Sequence, residues 1–284
     1  MDKFHSSLKR PLCALKKKVI HKSFMVTSIN LTRGISKQPY IPKKINKSQV
    51  VISPVPKVKN LIHNTLPIII HNNGGGSNYG KLLFEKLYKS LNNYPKQKVQ
   101  SNNVTIVTWS TQPKDDRNLL QKSLRRLGLE CVVLSPCKSI NEKIPLFLTL
   151  RVTTRYILWL DMFDVVVLSN PMIVIAELLK KQCKILAAGE KNHCPSNIPR
   201  DFEYSHSKAP FHYLNSGCII ADWKYLRMIL TEEYDLVNNS PGSGDQGIFK
   251  ILYQKYYPNI KIDDNCNIFQ CLYDITEKEV IMVS

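Results

Sequence analysis

Apolar and polar positions begin to alternate in regular blocks at about residue 65. The run TLPIIIH (65–71) predicts a short buried strand and NNGGGSN (72–78) a loop. In YGKLLFEKLYKSLNNY (79–94), Leu83, Phe84, Leu87 and Leu91 recur every three or four residues, as one face of a helix does. From Asn103 the strand VTIVTWS, a helix over RNLLQKSLRRLGL, the strand ECVVLS, a helical stretch near NEKIPLFLTLRVT and the strand YILWLD follow one another. IVIAELLKKQ then predicts a helix, KILAAGE a strand, and YLNSGCIIADW a strand pair or a strand and turn. DQGIFKILYQKYY predicts a helix, and IKIDDNCNIFQCLYDI short strands. Strand and helix alternate as a parallel sheet requires, which makes the class α/β.

Residues 1–56 lack this periodicity. They mix Lys, Ser, Asn and Pro, and QPYIPKKINKSQVVISPVPKVK (38–59) reads as an extended linker. No Asp or Glu occurs from residue 3 to residue 84, so nearly all of the formal net charge of +18 comes from the front of the chain. The later residues are close to balanced, and the core has no need of a polyanion. A solvated, disordered basic arm is the simplest reading; a transit peptide and a nucleic-acid tail are the alternatives. No apolar run approaches the ~20 residues of a membrane span. The eight cysteines form no C-x-x-C pair and no zinc spacing, which fits reduced thiols in a cytosol-like compartment.

The chemistry concentrates where the predicted strands end. Asp161 and Asp164 follow YILWL, at the carboxyl edge where open α/β sheets collect ligands. Two carboxylates three apart on a turn can aim at one hard cation, which favours oxygen ligands and phosphates. Capping the next helix is the plainer alternative. Further polar clusters close other apolar segments: Glu190 in AGE, Asn215, Ser216 and Gly217 in LNSG, Asp245 and Gln246 in GDQG, and Asp263 leading to Gln270.

In order and spacing these motifs resemble the glycosyltransferase domain of the procollagen lysyl hydroxylases and related collagen glycosyltransferases, over roughly residues 103–284. That resemblance implies the GT-A fold, a nucleotide-sugar-binding mixed sheet flanked by helices. It also implies Mn²⁺ and transfer of a hexose from UDP-glucose or UDP-galactose to a protein or glycan hydroxyl, with a collagen-like chain among the acceptors. Asp161 and Asp164 would hold the metal, Phe163 would lie near the uracil, and Thr108 and Trp109 in VTWST would meet the nucleoside. Glu190, Ser216 and Gly217 would line the donor site. Asp245, with Gln246 and Asn215, would orient or deprotonate the acceptor or guide the sugar.

The family carries one more metal ligand, a His in a P-x-x-x-H-G-N-G stretch after the IFQ motif, and nothing matching it follows Gln270 here. Pro67, His71, Asn73 and Gly74 stand in matching order at the front. The reading is a circular permutation, with 57–95 supplying what normally follows residue 284 and 57–284 forming the domain. The other reading is a remnant of a duplicated copy. An Asp, Asp, His set suits Mn²⁺, and the glycines after His71 allow backbone to approach a diphosphate. Three departures from the pattern stand out: Gly244 where the family has Asp, no Trp beside Cys194, and Asn72 in place of Gly. They keep a second function open, an inactive GT-A module that binds or scaffolds.

Overall fold

The computed structural model describes residues 56–74, 77–91, 96–100, 103–110, 118–135, 142–198, 205–235 and 244–283. The expected arm, apart from Pro56, lies outside them, as do Thr111, Gly75, Gly76 and the predicted helix end at Asn92, Asn93 and Tyr94.

In chain order the elements are β1 (Lys57–Asn60), β2 (Ile69–His71), α1 (Asn78–Leu91), β3 (Val104–Trp109), α2 (Leu119–Arg126), β4 (Val132–Leu134), α3 (Lys143–Leu148), β5 (Tyr156–Leu160) and β6 (Val165–Val167). A 3₁₀ turn, Pro171–Ile173, leads into α4 (Val174–Lys180); β7 (Ile185–Glu190), β8 (Tyr213–Asp222), α5 (Trp223–Glu232), α6 (Gly244–Tyr256), β9 (Ile260–Asp263), β10 (Phe269–Cys271) and β11 (Val280–Val283) follow. Among the described residues, no helix is long and apolar enough to cross a membrane.

The main sheet has the order β4-β3-β5-β8-β7-β9. Every neighbouring pair that excludes β8 is parallel, and β8 runs antiparallel to both β5 and β7. The sheet is therefore mixed rather than parallel throughout, and YLNSGCIIAD is one long strand. The reversal has a functional consequence. It brings the start of β8 to the edge where β3, β5 and β7 end, so Asn215 and Gly217 meet Asp161 and Glu190.

Alternation along the strands covers both faces of this sheet. Leu158, Leu160, Leu186 and Ile220 pack with Leu120 and Leu124 of α2, whereas Ile157, Trp159, Ile185 and Ile219 pack with Phe147 of α3, Leu226 of α5 and Phe249 of α6.

The front segment is built into the fold. Strand β2 lies between β10 (parallel) and β6 (antiparallel), and β1 pairs antiparallel with β11. Helix α1 buries the four predicted side chains, and with Val58, Ile70, Val166, Leu272 and Val280 they form a core of their own. Each such Leu or Phe contributes about 1.5–3 kcal/mol of burial, so α1 is firmly seated. Gly80 permits the approach, because a Cβ there would lie 2.4 Å from the Leu272 carbonyl oxygen. Buried Asn60 donates from Nδ2 to Gln270 Oε1 at 2.8 Å. Gln270 thus ties β1 to β10, and Asp263 shapes the preceding turn by accepting the backbone N–H groups of Asn267, Ile268 and Phe269.

Four elements were not anticipated. Strands β1, β6 and β11 are three or four residues each and acquire their identity from their partners. Helix α5 did leave a signal: Asp222 caps it by accepting from the Tyr225 amide, and buried Trp223, Leu226, Ile229 and Leu230 follow at helical spacing.

Candidate metal centre at the strand ends

Asp161 is the first residue after β5, and its amide donates to the Gly217 carbonyl on neighbouring β8. Its two oxygens have different work. Oδ1 accepts from the Trp109 indole at 3.1 Å and from Lys143 Nζ at 2.8 Å, and Oδ2 faces His71 Nε2 at 3.8 Å. Asp164 follows on the turn into β6, with Oδ2 3.3 Å from the same imidazole nitrogen. Its backbone carbonyl accepts from the Asn72 amide, which pins the chain just past His71.

His71 ends β2 and is buried. Its Nδ1 lies 3.0 Å from Asn215 Oδ1, an oxygen that also accepts from the Gly217 amide. That acceptor takes the Nδ1–H and leaves Nε2 directed at the two carboxylates, where a bound cation would replace its proton. Burial disfavours a charged ring, but the Asp164 carboxylate outweighs it and lifts the His71 pKa well above its ordinary 6.5.

His71, Asp161 and Asp164 offer one ligand atom each within 4.8 Å of one another, and the 3.3 and 3.8 Å from His71 Nε2 to the two carboxylates lie within the span of two bonds of about 2.0–2.2 Å to one divalent cation. Gly217 forms the floor. A Cβ there would stand 2.2 Å from His71 Cε1 and 2.7 Å from Asp161 Oδ2, so only glycine leaves these two ligands where they are. The donor set fits a divalent metal.

A second layer surrounds the triad. Lys143, the first residue of α3, is buried and donates from Nζ to Asp161 Oδ1 and to Asp245 Oδ2, both at 2.8 Å. The ammonium lies 4.6 and 4.9 Å from the ring centroids of Trp109 and Trp159. Desolvation would lower its pKa, but the two aspartates raise it. Burial likewise works against the Asp161 charge, and Lys143 and His71 nevertheless pull that pKa down to about 2.

Glu190, at the end of β7, accepts from the side-chain amides of Asn73, Asn215 and Gln246. One carboxylate thereby links the front segment, β8 and the start of α6. Desolvation raises its pKa to about 7 despite those bonds. Gln246 Nε2 also donates to the Cys194 carbonyl at 2.7 Å.

The folded chain thus joins most of the expected residues in one network: His71, Asn73, Trp109, Asp161, Asp164, Glu190, Asn215, Gly217, Asp245 and Gln246. Ser216 is buried between Asn215 and Gly217, and Phe163, between the acids in sequence, is 38% exposed. Gly74 takes φ +72° beside the Tyr273 ring. Thr108 is buried with no hydrogen-bond partner for its hydroxyl among the described residues. Gly244 takes φ +59°, in the region that favours glycine, which gives a conformational reason for the departure there.

Lys143 escaped the sequence reading. It sits in the apolar stretch NEKIPLFL, where a lysine reads as a surface residue; the only hint was a cation at the start of a helix, where the dipole disfavours one. The six described cysteines are free thiols, as expected. Cys13 and Cys137 lie outside the described residues.

Residues 149–284 match the family model of the PLOD GT domain, and this stretch is identified as a PLOD-type glycosyltransferase domain. No curated protein matches the chain. Asp161, Asp164, Glu190, Asn215, Gly217 and Asp245 fall inside the matched residues; His71, Trp109 and Lys143 fall outside.

Proposed function

We propose that the PLOD-type domain of residues 149–284, completed by the chain in front of it, is a Mn²⁺-dependent hexosyltransferase. It would take glucose or galactose from a UDP-sugar and pass it to a hydroxyl, with hydroxylysine or galactosyl-hydroxylysine of a collagen-like chain as the family's acceptor class. The observation that carries this reading is His71 Nε2 lying against both Asp161 and Asp164.

His71, Asp161 and Asp164 would hold the ion, whose Lewis acidity offsets the negative charge that develops on departing UDP. The chain's own groups prepare that site. Lys143 occupies Asp161 Oδ1 and so leaves Oδ2 for the ion. Asn215 fixes the His71 tautomer. Lys143 holds Asp245 Oδ2, which leaves the other carboxylate oxygen to anchor a sugar or acceptor hydroxyl. Glu190 orients the amides of Asn73, Asn215 and Gln246 around the donor, and the exposed Phe163 ring is free to take the uracil.

The same arrangement supports circular permutation. Strand β1 pairs with β11 and β2 lies beside β10, as expected if residues 57–95 supply a segment that would otherwise follow residue 284. Gly244 favours a second reading, in which donor is bound without turnover.

The test is UDP release from UDP-glucose and UDP-galactose with Mn²⁺, run with Asp164→Ala and His71→Ala. Turnover lost in both variants is the expected result. Turnover intact in both refutes the site, and turnover lost only with Asp164→Ala refutes the permutation. No UDP above background in the parent chain, with Mn²⁺ still bound, establishes the non-catalytic module.

A further inference from the structure

Helices α1 and α2 flank an open cavity of about 350 Å³ that shares no lining residue with the metal centre. Tyr88 and Leu91 of α1 form one wall; Lys96 and, from α2, Lys122, Arg125 and Arg126 supply the charge. No carboxylate is among the described residues that line it.

Arg126 is the unusual member. It is only 7% exposed, and Nη2 donates to the Leu168 carbonyl, yet Nε and Nη1 have no hydrogen-bond partner among the described residues. A guanidinium keeps its charge in proteins and carries five N–H donors. Buried donors left unpaired are costly and rare in native folds. Desolvation accordingly lowers the Arg126 pKa. The end of α2 offers only about half a negative charge of helix dipole, too little to balance the four cationic side chains that line the cavity.

We infer that this cavity binds the ester of a tetrahedral oxyanion, a phosphate or sulfate monoester with a non-polar body. Arg126 would meet the oxyanion through one of its two unpartnered donors, Nε or Nη1, as a buried charge-assisted hydrogen bond. Lys96, Lys122 and Arg125, exposed at the rim, would surround the remaining oxygens. The body would rest on Tyr88 and Leu91, and Lys122 already lies over the Tyr88 ring at 5.8 Å. This inference is independent of the proposed transfer reaction.

The test uses the full chain in EDTA, with phenyl phosphate, phenyl sulfate and inorganic phosphate as probes and NaCl at matched ionic strength as control. Calorimetry should show one phenyl phosphate or phenyl sulfate per chain, bound at least tenfold more tightly than inorganic phosphate; which ester binds better identifies the oxyanion. Arg126→Met should abolish binding. Lys122→Glu with Arg125→Glu, at exposed positions that spare the core, should weaken it at least tenfold. Asp164→Ala should leave it unchanged. Binding no stronger than the salt control, binding insensitive to the two charge reversals, or loss in Asp164→Ala would each overturn the inference.

Discussion

His71 Nε2 lies 3.3 Å from Asp164 Oδ2, although the imidazole comes from the front segment and the carboxylate from the middle of the chain. Metal binding at this triad would therefore be linked to the docking of β2. A ligand that binds only the assembled form stabilises it by mass action, about 2.7 kcal/mol at 100 times its Kd. Mn²⁺ should raise the unfolding midpoint of the parent chain and have little effect on His71→Ala or Asp164→Ala, as read by thermal unfolding with and without the ion. An equal rise in all three would place the ion elsewhere.

Gly217→Ala should displace His71, since the new methyl would overlap the ring. Overpacking of this kind costs about 1–3 kcal/mol, so the chain should remain folded while Mn²⁺ affinity falls. Titration followed by the electron-spin signal of free Mn²⁺ reads the loss. Parent-like affinity would show that β8 can move aside.

Lys143→Met removes the cation shared by Asp161 and Asp245 and leaves two carboxylates without their counter-charge. Breaking a buried pair in this way costs about 3–5 kcal/mol. Urea denaturation should show a loss of that size, and adding Asp245→Asn should recover part of it. A change within experimental error would mean that the acids find other partners.

Glu190 should impose a pH dependence on the stability of the metal-free protein. Its folded pKa of about 7 lies above the ordinary 4.5, so the folded state holds the proton more tightly. The associated stability is complete below about pH 4.5 and is lost as pH rises to about 7, a total of about 3 kcal/mol at most. His71 acts in the same direction but from its ordinary 6.5 upward. Glu190→Gln should flatten the slope between pH 4.5 and 6.5 and keep the three amides in place; an unchanged slope would refute the raised pKa.

Much of this was legible from local signals. Helix α1 showed its buried face in the spacing of Leu83, Phe84, Leu87 and Leu91, and β3, β5 and β7 stood out as apolar runs ending in polar residues. Asp161, Asp164, Glu190, Asn215 and Asp245 were visible because a polar group placed where an apolar strand stops requires a reason. Strands β1, β6 and β11 were not visible: β1 and β11 exist only as each other's partner, and their three or four residues carry too little pattern to announce a pairing across the length of the chain.

The sequence by itself determined which apolar faces would be buried and which carboxylates would sit at strand ends, because side-chain period is a local property of the chain. Tertiary structure alone decided that β8 runs backwards between β5 and β7, that Asn60 reaches Gln270, and that Lys143 lies between Asp161 and Asp245. Those are long-range choices. They depend on which surfaces can be covered and which buried charges can be matched at once, and no local window of sequence contains both partners.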